Sequence, residues 1–174
     1  MEGPDLQARP VLPAFVETWR RVITDPHGFF VDMPEAGGLG DPLGFLALCA
    51  AVNAVGHLLL GAGAPGAAAV FAGGVVAAFV GAALLVLVAQ HLFHGRAGFE
   101  PTFRVVAYSA APSVVDWVPV VGWIARLYRL YLVVRGLERV QGLDTRSAVL
   151  TIVVTWAVVV ISALGFMGPW RAWP

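Results

Sequence analysis

The stretch FRVVAYSAAPSVVDWVPVVGWIARLYRLYLVVRGLE, residues 103–138, decides the fold of this chain. It is apolar enough for membrane helices, yet it carries an aspartate and two mid-stretch arginines, Arg126 and Arg129. On insertion scales such an arginine costs roughly 2.5–3.5 kcal/mol at the centre of a membrane helix. The stretch is therefore either a hairpin that crosses the bilayer twice, over 103–119 and 120–138, or one crossing followed by an interfacial helix.

The composition around this stretch is that of an integral membrane protein. Of 174 residues, 59% are apolar and only 13% are charged, about half the charged fraction of a soluble domain. This excludes a disordered chain and an ordinary cytosolic enzyme, and a formal net charge of zero argues against a nucleic-acid partner. A single cysteine, Cys49, excludes an intrachain disulfide framework and a cysteine-built metal site.

Three further apolar stretches are each long enough to span a bilayer. They are residues 42–62, 66–93 and 147–166. The polar N-terminal segment, 1–41, and a short tail, 167–174, flank the membrane domain.

The distribution of arginine decides between four spans and five. With five spans and a cytoplasmic N-terminus, eight arginines lie on the cytoplasmic side: Arg9, Arg20, Arg21, Arg96, Arg104, Arg135, Arg139 and Arg146. The two outer turns, 63–65 and 117–122, contain none, and Arg171 alone lies outside. With four spans, the last three of the eight would be stranded outside, against the positive-inside rule. The sequence therefore predicts five transmembrane helices.

The N-terminal segment contains a predicted amphipathic helix over residues 12–24. Its apolar residues share one face at helical spacing: Phe15, Val16, Trp19, Val22 and Ile23. Such a helix lies in the cytoplasmic interface with Trp19 in the bilayer surface and Arg20 and Arg21 near anionic headgroups. The alternative is an amphipathic helix packed on the protein itself. Residues 25–41 are predicted to be a Gly/Pro-rich surface loop.

Polar residues inside the predicted spans form a candidate cluster. Positions equidistant from the hairpin tip lie at equal depth, so we expect a buried ion pair between Asp116 and Arg126, with Arg129 one turn deeper. Asn53 and His57 share a face of the first span. These five residues either hydrogen-bond helices to one another or line a path for a transported species.

Two further patterns suggest weaker sites. Gly73, Ala77 and Gly81 form a small-residue ridge on the second span, which allows a close helix contact inside the protein or with a second chain. His91 and His94 share a helical face and are weak candidates for metal ligands. Because the sequence has no recognisable catalytic motif, we expect neither an enzyme nor a bound cofactor.

Several short motifs resemble the Yip1-domain membrane proteins. They are Phe99-Glu-Pro-Thr-Phe-Arg104, Tyr108-Ser-Ala-Ala-Pro112, Val118-Pro-Val-Val-Gly122 and the Arg/Tyr-rich span that follows. The loop Asp25-Pro-His-Gly-Phe-Phe30 is similar to the bacterial branch. The resemblance implies a cytoplasmic N-terminal segment and five spans, and it associates eukaryotic relatives with vesicle trafficking and Rab-type GTPases. This chain lacks their long polar N-terminal region, which puts Rab binding in doubt.

The sequence thus predicts an all-α, polytopic membrane helical bundle with five transmembrane helices and an N-terminal interfacial helix. Its expected location is the bacterial inner membrane, with the bilayer as its first partner. Three functions are compatible with it: a non-enzymatic protein that organises membrane or partner proteins, a small transporter or channel, or an accessory subunit of a larger membrane complex. A membrane-protein partner or a second copy of the chain fits the first and third.

Overall fold

The computed structural model describes residues 11–167, and all regular elements in this range are helices, without a strand. The helices are α1 (Val11–Thr24), α2 (Pro26–Asp32), α3 (Gly40–Leu59), α4 (Gly63–Phe93), α5 (Phe99–Tyr108), a 3₁₀ helix (Ala111–Val115), α6 (Val121–Gln141) and α7 (Thr145–Met167). The predicted tail beyond residue 167 lies outside the described residues.

Three helices of the described range are long and apolar enough to cross a membrane: α3, α4 and α7. They correspond to the first, second and last predicted spans. Most of the surface of α4 and α7 is not covered by the rest of the protein, as expected for side chains that face lipid.

The predicted third span is not one continuous helix. Helix α5 has 10 residues, about 15 Å of rise, and ends at Tyr108, and the chain continues as a 3₁₀ helix that begins at Ala111. Pro112 lacks a backbone N–H and disfavours α-helical conformation in the residue before it, so the α-helical hydrogen bonds do not continue through this point. Six consecutive residues of α5, 102–107, are buried, because α3, α4 and α6 pack around it. Residues 109–113, which form the break and the start of the 3₁₀ helix, are buried as well, so the irregular backbone there is shielded by protein.

Helix α6 has 21 residues, about 31 Å of rise, but too many charged residues to qualify as a span by composition. The exposed side of its first half is nevertheless mainly apolar: Trp123, Ile124, Leu127 and Leu130 are exposed, beside the one exposed charge of Arg126. Its inner side contacts α5 closely at Gly136, where any side chain would overlap Val105.

A tight turn joins the 3₁₀ helix to α6. The N–H of Val121 donates to the carbonyl of Pro119 at 2.8 Å, and Val120 between them has φ +67°. A positive φ is unfavourable for a β-branched residue. This turn is the tip of the α5–α6 hairpin.

The N-terminal helices pack on the bundle. The apolar side of α1 contacts the core through Phe15, Trp19, Val22 and Ile23, as in the alternative interpretation of that helix. Val16 does not join them and is exposed.

The segment after α1 is not the predicted loop throughout. Residues Pro26–Asp32 form α2, whose first turn is capped by Asp25, since its Oδ1 accepts from the N–H of Gly28 at 3.0 Å. Pro26 at the first helical position needs no donor there. Phe29 and Phe30 then bury their rings, which is why this part of the segment folds back on the bundle.

Three connections meet at one end of the molecule, which we call the loop end. The N–H of Gly38 donates to Glu100 Oε1 at 2.7 Å, and the Gly38 carbonyl accepts from Arg104 Nη2 at 2.6 Å. Arg139 lies 3.5 Å from Glu35. The segment before α3, the start of α5 and the end of α6 are therefore held together.

Helix α7 leaves from the same end. Asp144 precedes it and accepts a hydrogen bond from the N–H of Arg146 at 3.2 Å. Hydrogen bonds from Ser147 hold the pKa of the Asp144 carboxyl below its usual value. The cap fixes where α7 begins.

Candidate functional site

A cavity of about 190 Å³ lies between α3, α4, the 3₁₀ helix and α6. It brings together three members of the predicted polar cluster, Asn53, Asp116 and Arg129. The remaining lining residues are Leu46, Ala50, Val70, Gly74, Ala110 and Ser113. The cavity forms where the break after α5 leaves the space between the helices unfilled.

Asp116 and Arg126 lie opposite each other, as the hairpin predicts. Arg126 Nε is 3.9 Å from Asp116 Oδ2, too far for a hydrogen bond. The Asp116 side chain is 14% exposed but that of Arg126 is 54% exposed, so the expectation of a fully buried pair is wrong for the arginine. The guanidinium instead lies 5.4 Å from the centre of the Trp123 ring, because the long side chain extends along the protein surface.

Arg129 lines the cavity and, within the described residues, has no carboxylate within 4 Å of its guanidinium and donates no hydrogen bond. Two acceptors are also left over: Asn53 Oδ1 and Asp116 Oδ1 are buried and have no hydrogen-bond partner. Unpaired polar atoms at such a depth are costly, so the cavity combines an unused donor group with two unused acceptors.

His57 is close to this cluster but does not line the cavity. Its Nδ1–H donates to the backbone carbonyl of Asn53 at 3.0 Å, one turn earlier in α3. Cys49, a further turn back, is fully buried. The fifth predicted residue, Arg126, also stays outside the lining.

The two candidate metal ligands stand at the loop end of α4. His91 Nδ1–H donates to the carbonyl of Leu87 at 2.9 Å, and His94 ends the helix with φ 57°. Both are exposed. Among residues 11–167 no group of three histidine, cysteine, aspartate or glutamate side chains is placed to hold a metal ion.

The small-residue ridge faces outward. Gly73 and Ala77 are exposed, and a side chain on Gly73 or Gly81 would meet nothing within 4 Å. The interpretation of this ridge as an internal contact is therefore wrong. The neighbouring row provides that contact, since Ala78 and Ala82 are buried. Successive residues of an α-helix point about 100° apart around its axis. A shift of one residue therefore leads from the outward row, with Gly73 and Ala77, to the inward row, with Ala78 and Ala82.

The three residues predicted for the membrane interface have different environments. Trp19 is half-buried, and its Nε1–H donates to the carbonyl of Ala111 at 2.8 Å. Arg21 pairs with Asp32 of α2, and Arg20 is exposed. Trp19 thus ties α1 to the 3₁₀ helix beside the cavity.

Sequence reasoning missed Gln141, the last residue of α6. Its side chain is fully buried: Oε1 accepts from the N–H of Ala97 at 2.9 Å, and Nε2 donates to Thr102 Oγ1 at 2.9 Å and to the Ala97 carbonyl at 3.2 Å. It joins the α4–α5 connection to the end of α6. The only signal in the sequence is a glutamine between apolar Val140 and a helix-ending glycine, which is too common to single out.

The comparisons with known proteins identify one family. A model of the Yip1 domain matches residues 20–167, most of the chain. No curated protein and no solved structure matches significantly.

Proposed function

Since the chain belongs to the Yip1 domain family, we propose that it is a non-enzymatic integral membrane protein that organises the bilayer or partner proteins around it. The observation that carries this proposal is the open ridge Gly73, Ala77 and Gly81 on the outside of α4. Small residues in such a row allow another membrane helix to approach closely and gain dispersion contact. Because the inner row already serves the protein's own packing, the outer row is free for a second chain.

The occupant that we propose for the ridge is a second copy of this chain. A two-fold axis places the same surface of both copies in contact, and a row of small residues is complementary to itself. The adjoining exposed residues of α4, Val76 and Val80, are apolar and supply the flanks of such a contact.

The proposed topology has five membrane crossings and a cytoplasmic N-terminus in a bacterial inner membrane. Two features support it. The loop end joins the segment before α3 to the start of α5 and the end of α6, so the chain returns to one side after each helix pair. The exposed side of the first half of α6 is mainly apolar, which suits contact with lipid, and its one exposed charge, Arg126, lies beside the Trp123 ring.

We also propose that α1 lies in the cytoplasmic interface while it packs on the bundle. Its exposed side is divided along its length: Val11, Leu12 and Val16 are exposed in the first half, and Arg20 lies in the second. An apolar beginning in the lipid and a basic end at the headgroups fit this division.

The organising role is tested by native mass spectrometry of the protein extracted in mild detergent. We expect a dimer for the wild type and a monomer for Gly73→Leu, because the new side chain points away from the protein's own core and into the contact. Val160→Leu on the exposed side of α7 is the matched control and should remain dimeric.

Two other outcomes are informative. A complex with a different membrane protein that Gly73→Leu abolishes would support the accessory-subunit form of the proposal over self-association. A wild-type monomer without bound lipid or protein would contradict the organising role.

A further inference from the structure

We propose that the cavity lined by Asn53, Asp116 and Arg129 binds a small monovalent oxyanion that carries a hydrogen-bond donor of its own, such as a hydroxycarboxylate. This goes beyond the organising role, which uses the outer surface of α4. The proposal rests on the charge, the hydrogen-bonding groups and the size of the cavity.

The first argument is charge. Two guanidinium groups, those of Arg126 and Arg129, share one carboxylate, Asp116, and only Arg126 lies within 4 Å of it. The cluster therefore carries one excess positive charge, and that charge faces the cavity. In a medium of low dielectric constant an uncompensated guanidinium is unfavourable, so a single negative charge in the cavity is favoured. Arginine presents a planar set of N–H donors that matches a carboxylate or phosphate.

The second argument is the pair of unused acceptors. Asp116 Oδ1 and Asn53 Oδ1 are buried without a hydrogen-bond partner. An anion that only accepts hydrogen bonds would leave both unsatisfied and would be repelled by the carboxylate. A hydroxyl group on the same molecule donates to one of them, which removes part of that cost. A hydroxycarboxylate, hydrogen carbonate and dihydrogen phosphate share this chemistry.

The third argument is size and position. About 190 Å³ is far more than a single water needs, roughly 15 Å³, and less than the roughly 300 Å³ of the smallest drug-sized pockets. The cavity lies beside the break between α5 and the 3₁₀ helix, and interrupted membrane helices commonly form small-ligand sites. Asn53 is six residues from the end of α3, about 9 Å below its end, so the site lies within the bilayer.

The test is isothermal titration calorimetry of the purified protein in lipid nanodiscs with glycolate and acetate, which differ by one hydroxyl group. We expect saturable binding of glycolate that is about tenfold tighter than that of acetate, since the hydroxyl satisfies a buried acceptor. Arg129→Gln should weaken glycolate binding by at least about tenfold. Arg139→Gln, which removes an arginine at the loop end, is the matched control and should bind glycolate like the wild type.

Hydrogen carbonate and phosphate are titrated in the same way. The anion that binds most tightly among glycolate, hydrogen carbonate and phosphate identifies the kind of anion that the cavity takes. Absence of saturable binding of all three to the wild type would overturn the proposal and assign the cavity to water. Equal affinity for glycolate and acetate would overturn the part played by the acceptors. Asp116→Asn provides a test that does not depend on Arg129→Gln folding: acetate should bind it more tightly than it binds the wild type, because the repelling carboxylate is gone. These measurements are independent of the oligomeric state.

Discussion

Gln141 makes the densest set of side-chain hydrogen bonds among the described residues, and each of its partners is at the loop end. The Gln141→Leu substitution keeps the volume but leaves the N–H and carbonyl of Ala97 and the hydroxyl of Thr102 without this partner. We expect a loss of about 3 kcal/mol in the free energy of unfolding, measured as a lower thermal midpoint in detergent.

Gln90→Leu is the control for this prediction. Gln90 is exposed and donates one hydrogen bond, to the Ala97 carbonyl at 3.1 Å. Its loss should lower the midpoint far less. Equal decreases of the thermal midpoint for Gln141→Leu and Gln90→Leu would show that the buried hydrogen bonds of Gln141 stabilise the protein no more than the one exposed bond of Gln90.

Asp116 is the single carboxylate near two arginines. Asp116→Ala leaves Arg126 and Arg129 without a counter-charge, and we expect about 2 kcal/mol of destabilisation and a lower yield in the membrane. Replacing Asp116 and Arg126 together by apolar residues should restore only part of the yield, because Arg129 still lines the cavity without a counter-charge. Full restoration by the double variant would mean that Arg129 does not depend on Asp116.

Val120 is held at φ +67° in the turn before α6. A non-glycine residue held in such a sparsely populated backbone conformation costs on the order of 1–3 kcal/mol, whereas glycine reaches positive φ much more readily. Val120→Gly should therefore raise the thermal midpoint, even though a glycine usually destabilises. Val121→Gly at the first helical position is the control and should lower the midpoint. A decrease for both variants would contradict the strained turn.

At the scale of the element, α1 shows how an amphipathic pattern can be satisfied in two ways. The pattern predicts which residues share a face, but both a bilayer and the protein's own core can cover that face. Here the helices of the bundle cover Phe15, Trp19 and Val22, and Trp19 adds a hydrogen bond that lipid tails could not provide. What remains for the membrane is the exposed beginning of the helix.

Fluorescent labels on α1 test whether its exposed beginning contacts the membrane. A label at Val16→Cys, where the valine is 58% exposed, should be quenched by lipid-attached quenchers, and one at Arg20→Cys by aqueous iodide. Cys49 is buried, so it should not compete for the label. Equal quenching of both labels by iodide would place α1 in water and contradict the interfacial location.

The third predicted span shows a different limit. Its length and mean apolarity fit a membrane helix, but it is built as α5, a break and a 3₁₀ helix. Pro112 and the small residues before it mark the position of the break, and their effect is local. The helices packed around the break make it tolerable, because they cover its backbone. The sequence of residues 103–119 does not show which helices those are.

At the scale of the whole molecule, the proposed five crossings would place the α3–α4 turn and the start of α7 on opposite sides. Ala62→Cys should react with a membrane-impermeant maleimide on intact cells, and Arg146→Cys only after permeabilisation. Both positions are exposed, so accessibility does not separate them. Reaction of Arg146→Cys on intact cells would contradict the proposed cytoplasmic location of the loop end.

The sequence by itself determined that the chain is an all-helical membrane protein of the Yip1 type, where its three most apolar helices lie, and that Asp116 faces Arg126. The Yip1 type follows from the resemblance of short motifs in the sequence. The other conclusions follow from composition, from helical periodicity and from equal depth across a hairpin, all of which act over short distances along the chain. Only the tertiary structure decided that Arg129 rather than Arg126 lines the cavity, that Asn53 reaches the same space, that the ridge of α4 faces outward and that Gln141 joins three segments. Each depends on the rotation of one helix against another, which is set by side-chain packing between residues far apart in sequence and leaves no pattern in either helix alone.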